Sequence, residues 1–264
     1  MLCFLANLTF LFTEYSFLDR FQVAKEVGFN TVEFKFPEPF NVDPVETRLK
    51  ETGLKPYLFN FPVDIQAVGG RGIANNPERK KEFRQGVKQA VETACRLSVK
   101  NINFFCGTRL SFYSEEEMWD TLVSNLQYAS DELKIFDMNL TIEPLNHYDS
   151  PDIFIESTAK GLKLHKAVGR SNMLLQFDIY HARKEGEDVF EIFKNDLAAI
   201  GHIQIADYPG RHQPGTGELD INKLLKMIEA SPYNGYVSLE YIPAPNTLSS
   251  LEWFKENGYD FSSY

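Results

Sequence analysis

Four oxygen-bearing side chains stand where apolar runs stop. Glu143 closes the run from Asn139 to Ile142, and Pro144 follows at once and forbids further strand pairing, so this carboxylate is displayed at a strand end. The pattern repeats downstream: Leu174 to Phe177 ends on Asp178, Gly201 to Ile203 runs into Gln204, and Tyr236 to Leu239 ends on Glu240. These positions are roughly 25 to 35 residues apart, the length of one βα unit. Consecutive strands of one parallel barrel would aim all four at a common point. Three converging carboxylates repel strongly unless a cation sits among them. An oxygen-only donor set suits Mg²⁺ or Mn²⁺ better than zinc, which prefers His and Cys. The plainer alternative is four unrelated strand-end groups meeting water or a lysine.

Three more residues belong to loops over the same mouth. His181 follows Asp178 by three positions, and a neutral imidazole there would hydrogen-bond a substrate oxygen. Arg211, in the loop from Ala206 to Leu219, and Arg71, in the Gly-rich loop from Val68 to Asn75, are suited to pair with an anionic substrate group through a bidentate guanidinium. Each arginine reads equally well as a solvated loop charge. His147 and His202 are weaker candidates, and His165 reads as surface or core filler. Pro214 to Glu218 lacks the lysine of a phosphate-binding loop.

The chain that must position these groups alternates strand-like and helix-like runs throughout. Strands are expected at Leu2 to Leu8, Thr31 to Phe36, Lys55 to Phe61 and Asn101 to Phe105, then up to Glu143, from Met173 to Asp178, through Gln204, and from Tyr236 to Glu240. Between them, Ser16 reads as the N-cap of a helix ended by Gly28, and Asp43-Pro44 as a capped start of a helix ended by Gly53. Asn76-Pro77 opens a long helix to about Leu97, and Ser114 to Glu117 is a capping box. Helices follow from Ser157 to Val168, near Val189 to Leu197, after the cap Asp220, and from Thr247 to Asn257. Eight strands alternating with eight helices imply parallel pairing through right-handed crossovers. At 264 residues the chain is close to the roughly 250 of a closed barrel. An open doubly wound sheet would show glycines in the first βα turn, and Asn7 to Glu14 has none. Residues 1–264 are therefore expected to form one domain, a single (β/α)8 TIM barrel of the α/β class.

A net charge of −10 makes nucleic acid a poor partner. Cys3, Cys95 and Cys106 form neither a CxxC pair nor an even set, which points to a reducing, cytoplasmic setting. The apolar N-terminus is interrupted by Asn7 and Glu14, so it reads as a first strand, neither a signal nor a membrane span. Twenty-two phenylalanines and 12 tyrosines exceed what a barrel interior needs, and the excess suggests a homodimer contact.

Thr141 to Asn146 (TIEPLN), Phe177 to His181 (FDIYH), Gly201 to Asp207 (GHIQIAD), Pro214 to Glu218 (PGTGE) and Leu239 to Tyr241 (LEY) resemble the hydroxypyruvate isomerase family, within the xylose isomerase-like barrels. Asn7 to Glu14 and Arg71 to Ala74 resemble it too, so the likeness spans nearly the whole chain. The resemblance implies a divalent cation, Mg²⁺ or Mn²⁺, held by Glu143, Asp178, Gln204 and Glu240, with the two glutamates as proton donor and acceptor. It implies a short sugar-acid substrate, hydroxypyruvate converted to tartronate semialdehyde through an enediolate. Close relatives act as 2-oxotetronate isomerases, and more distant ones epimerise ketoses at C3. Metal-dependent cleavage of damaged DNA, performed by related barrels, needs many histidines, and the chain has five. A sugar-acid binding protein without turnover is the non-enzymatic alternative.

Overall fold

The computed structural model describes residues 2–36, 41–60 and 71–261. Eight parallel strands close a barrel in sequence order: β1 (Cys3–Asn7), β2 (Thr31–Lys35), β3 (Lys55–Asn60), β4 (Asn101–Asn103), β5 (Asn139–Ile142), β6 (Met173–Asp178), β7 (Ile200–Ile205) and β8 (Tyr236–Leu239). β1 pairs with both β2 and β8, which completes the ring. The strand residues alternate with period two, but the inward set is polar. Gln176 and Asp178 on β6, His202 and Gln204 on β7, and Ser238 on β8 are buried and hydrogen-bond across the interior. Their neighbours Leu175, Phe177, Ile203, Ile205, Val237 and Leu239 join the apolar cluster that the helices cover.

The helices are α1 (Asp19–Val27), α2 (Val42–Thr52), α3 (Lys80–Leu97), α4 (Glu115–Lys134), α5 (Thr158–Val168), α6 (Ile179–Lys184), α7 (Val189–Asp196), α8 (Ile221–Glu229), α9 (Thr247–Ser250) and α10 (Glu252–Glu256). The capping box at Ser114 and Glu117 forms in both directions, and Gly28, Gly53 and Gly169 end their helices with left-handed backbone. Four expected helix boundaries differ, and strands such as β4 end earlier than expected, at Asn103 and not Phe105. Ser16 does not cap α1; its hydroxyl instead donates to the Asp19 carboxylate. Asn41, not Asp43, caps α2, accepting from the Asp43 N–H. Asn76 caps a single 3₁₀ turn before α3, and the last expected helix divides into α9 and α10. Phe61 and Val68 to Gly70, expected at the end of strand three and in the loop before Arg71, lie outside the described residues.

The aromatic excess has a structural destination. Among the described residues, eleven of the twelve largest fully buried side chains are phenylalanines, packed between barrel and helices. Phe34, Phe36 and Phe59 meet edge-on with ring centroids 5.2 and 5.4 Å apart, and Phe4 packs likewise on Phe254 at 5.4 Å. Tyr15, Phe112, Phe136 and Tyr148 are the exposed aromatics among the described residues. No helix among the described residues is long and apolar enough to cross a membrane.

Candidate active site

A cavity of about 210 Å³ opens at the strand C-termini, lined by Glu143, Glu240, His181, Arg211, Arg71 and Lys35 among others. A larger one, about 600 Å³, opens at the opposite end, lined by Thr31, Lys55, Tyr57 and Tyr236. Its one acid, Glu46, is already paired with Lys50 and Arg96, so the larger space holds no convergent acidic set. The smaller one gathers Glu143, Glu240, His181 and two arginines.

Glu143, the first residue past β5, is buried, and its Oε2 accepts from Gln176 Nε2 at 2.9 Å. Burial first, then the charge of Asp178, pushes its carboxyl up to about 8. Asp178 ends β6 and begins α6 in one step: its Oδ1 accepts from the N–H groups of Tyr180 at 2.8 Å and His181 at 3.4 Å. His181 therefore sits in the first turn of a helix, not in the loop expected for it. Asn146 donates to His181 Nδ1 from its backbone N–H at 3.1 Å, and its side-chain nitrogen lies 2.6 Å from the same atom. The Asn146 amide is itself oriented by Asp149, which accepts from its nitrogen and donates to its oxygen. Two donors facing Nδ1 make it the acceptor, so the ring proton is on Nε2, 3.6 Å from Asp178 Oδ2 and 3.8 Å from Glu143 Oε1. Burial drives His181 down to about 4, so the ring is a neutral donor.

Glu240, just past β8, completes the rim. Its Oε2 accepts from Asn7 Nδ2 at 2.6 Å and from Gln204 Nε2. Burial, then the charge of Glu143, holds its carboxyl well above the ordinary range. Arg211 reaches in from the β7 loop, where its backbone is left-handed (φ 57°). Its Nη2 lies 2.8 Å from Glu240 Oε1 and 3.2 Å from Asp178 Oδ2, and the guanidinium covers the rings of Phe10 and Tyr180. Arg71 lines the cavity with no hydrogen-bond or ion-pair partner for its side chain among the described residues. Asp178 and Gln204 do not line the cavity; they reach it through Arg211, His181 and Glu240.

Sequence reasoning passed over Glu33 and Asn7 and set His202 aside. Glu33, in mid-β2, is wholly buried behind Gln204 and Glu240. Burial alone would raise its carboxyl, but the nearby His202 and the hydrogen bonds from His202, Ser238 and Gln204 hold it below the ordinary range. The signal available was a carboxylate in mid-strand between the apolar Val32 and Phe34.

Each of the four sequence-predicted cation ligands has one atom engaged by a neighbouring side chain or the start of α6, and the second oxygens of Asp178 and Glu240 accept from Arg211 Nη2, so a cation bound to them would displace that guanidinium nitrogen. Gln176 takes Glu143 Oε2, the start of α6 takes Asp178 Oδ1, and Asn7 with Gln204 takes Glu240 Oε2. Glu33 and Glu240 take Gln204 Nε2, leaving Gln204 Oε1 buried with no hydrogen-bond partner among the described residues. Oxygens of Glu143 and Asp178 lie with a His181 nitrogen within 4.8 Å of one another. With both His181 nitrogens accounted for as donor and acceptor, the oxygens form the set that fits a hard divalent cation.

A match over residues 21–257 places the chain among the xylose isomerase-like TIM barrels. Within them it belongs to the hydroxypyruvate isomerase family. It is 42% identical over 253 residues to a hydroxypyruvate isomerase of Escherichia coli strain K12, covering 96% of this chain and 98% of that protein. It is 35% identical over 252 residues to a 2-oxo-tetronate isomerase of Cupriavidus necator, covering 96% and 97%. The solved structure of a Brucella melitensis protein described as an AP endonuclease, family 2, superposes with a TM-score of 0.93 at 36% identity, covering 98% of this chain and 100% of that one.

Proposed function

We propose that this chain is an isomerase that converts hydroxypyruvate to 2-hydroxy-3-oxopropanoate (tartronate semialdehyde), using Mg²⁺ or Mn²⁺ held by Glu143, Asp178, Gln204 and Glu240. The observation that carries the reading is that two buried glutamates and an arginine without a side-chain partner among the described residues line one small cavity. At about 210 Å³ it lies below the ~300 Å³ where drug-sized pockets begin, which suits a three- or four-carbon acid.

Arg71 receives the substrate carboxylate, and Arg211 balances charge between Asp178 and Glu240. One of Glu143 and Glu240 removes a proton from C3 and the other delivers one to C2, so the intervening species is an enediolate. The hydroxyl proton passes from O3 to O2, and the Nε2–H of His181 donates to the oxygen that gains charge. When bound, the cation supplies Lewis-acid polarisation of the substrate oxygens.

The four-carbon 2-oxo-tetronate is the second candidate substrate, on the strength of the Cupriavidus necator relative. Cleavage of damaged DNA is disfavoured by the net charge of −10 and by the single group of three candidate metal ligands among the described residues. The three cysteines remain thiols, which suits a cytoplasmic enzyme. The test is product analysis with hydroxypyruvate and Mn²⁺. An aldehyde product, lost about 10²–10⁴-fold in rate in Glu143→Gln and Glu240→Gln, is expected. A ketose returned inverted at C3 with its ketone in place, while hydroxypyruvate is left unchanged, indicates an epimerase, and no turnover of any short 2-keto acid overturns the reading.

A further inference from the structure

Glu33 does not line the mouth cavity, yet four side chains from three other strands or their ends converge on its carboxylate. Its Oε1 accepts from Asn7 Nδ2 at 2.8 Å, Gln204 Nε2 at 2.8 Å and Ser238 Oγ at 2.6 Å, and His202 Nε2 lies 2.5 Å from its Oε2. Asn7 and Gln204 share one geometry. Each amide nitrogen gives one N–H to Glu33 Oε1 and the other to Glu240 Oε2. An amide nitrogen has only two hydrogens, so both are committed, and the carbonyl oxygen must face elsewhere. For Asn7 that oxygen accepts from the Thr9 N–H at 2.9 Å; for Gln204 it is buried without a partner among the described residues.

We propose that Glu33 is a positioning residue for the isomerisation, an acceptor-only group whose place on β2 dictates which face of the Gln204 amide is presented to the cation and holds Asn7 against Glu240. A glutamine differs from a carboxylate in that only one of its two ends is a cation ligand, so a site that uses glutamine must specify the flip. An acceptor behind the amide and a second acceptor beside it do so; replacing Glu33 by a group that can also donate removes the distinction, because it could satisfy Gln204 Oε1 instead. The inference rests on the reading that Gln204 helps hold a divalent cation.

The experiment measures Mn²⁺ binding by calorimetry to chelator-treated full-length protein, with no substrate present. Glu33→Gln is expected to raise the Kd roughly 10- to 100-fold, the effect of losing a buried charge-assisted hydrogen bond. Gln204→Glu alone is also expected to weaken binding, since two carboxylates would then face each other. The double variant, which exchanges the two groups and preserves total charge, is expected to recover to within about fivefold of wild type, a coupling that a merely structural role of Glu33 would not produce. Should Glu33→Gln fail to fold, Ser238→Ala removes one donor to the same oxygen and is expected to raise the Kd about two- to fivefold. No Mn²⁺ binding by wild type overturns the cation reading and this proposal together. Wild-type binding with an unchanged Kd in Glu33→Gln, or in Ser238→Ala where only that variant folds, overturns the role of Glu33 alone; so does a double variant no better than the worse single one.

Discussion

Burial and the adjacent Asp178 push Glu143 up to about 8, so in the cation-free fold its carboxyl stays protonated where the unfolded chain has already released the proton. The unfolded state then binds fewer protons than the native one, and stability falls as pH rises from the ordinary carboxylate range to about 8, levelling beyond it. In EDTA, chemical denaturation is expected to show this decline in wild type and a smaller one in Glu143→Gln, where the buried Glu240 still contributes. Cation binding must expel the same proton, so Mn²⁺ affinity is expected to climb with pH through that window. Arg71 makes a different prediction. With no side-chain partner to leave behind among the described residues, Arg71→Met should raise KM about 10- to 100-fold while kcat changes little, the signature of binding shared by ground and transition states. An equal fall in kcat with unchanged KM would place the substrate carboxylate elsewhere.

At the scale of elements, the loop after β4 is tied to Arg71 by Gly107. Its N–H donates to the Arg71 carbonyl at 2.8 Å, its φ is +101°, and an added Cβ would stand 1.9 Å from Asn75 Oδ1. Gly107→Ala is therefore expected to cost about 1–3 kcal/mol and to raise KM, read from thermal unfolding and steady-state kinetics. An unchanged Tm would show that the loop relaxes freely. The last four strands were legible because each delivers a carboxylate or amide at or near the end of an apolar run, and the glycine and capping-box helix ends because they are local chemistry. Asp178 misled in one respect. The same carboxylate that marks a strand end also caps the next helix, so His181 enters a helical turn without an intervening loop. Glu33 was illegible for a different reason. Its partners Gln204 and Ser238 lie 171 and 205 residues further along, and only closure of the barrel brings them to one carboxylate.

The molecule as a whole separates two kinds of interior. Outside the strands, phenylalanine and aliphatic side chains bind the helices to the barrel; inside, amides, hydroxyls and acids hydrogen-bond to one another from β1 to β8. A polar interior in a closed barrel costs stability unless each group is satisfied. Glu143, Asp178, Gln204 and Glu240 stand at or near the C-terminal ends of four consecutive strands, and the proposed cation would draw on one oxygen of each. Arg211 supplies positive charge against two of those acids. The most direct measurement is an anomalous difference map from crystals grown with Mn²⁺. One peak bounded by those four oxygens is predicted; a peak elsewhere, or full isomerase turnover in the presence of excess chelator, would contradict it.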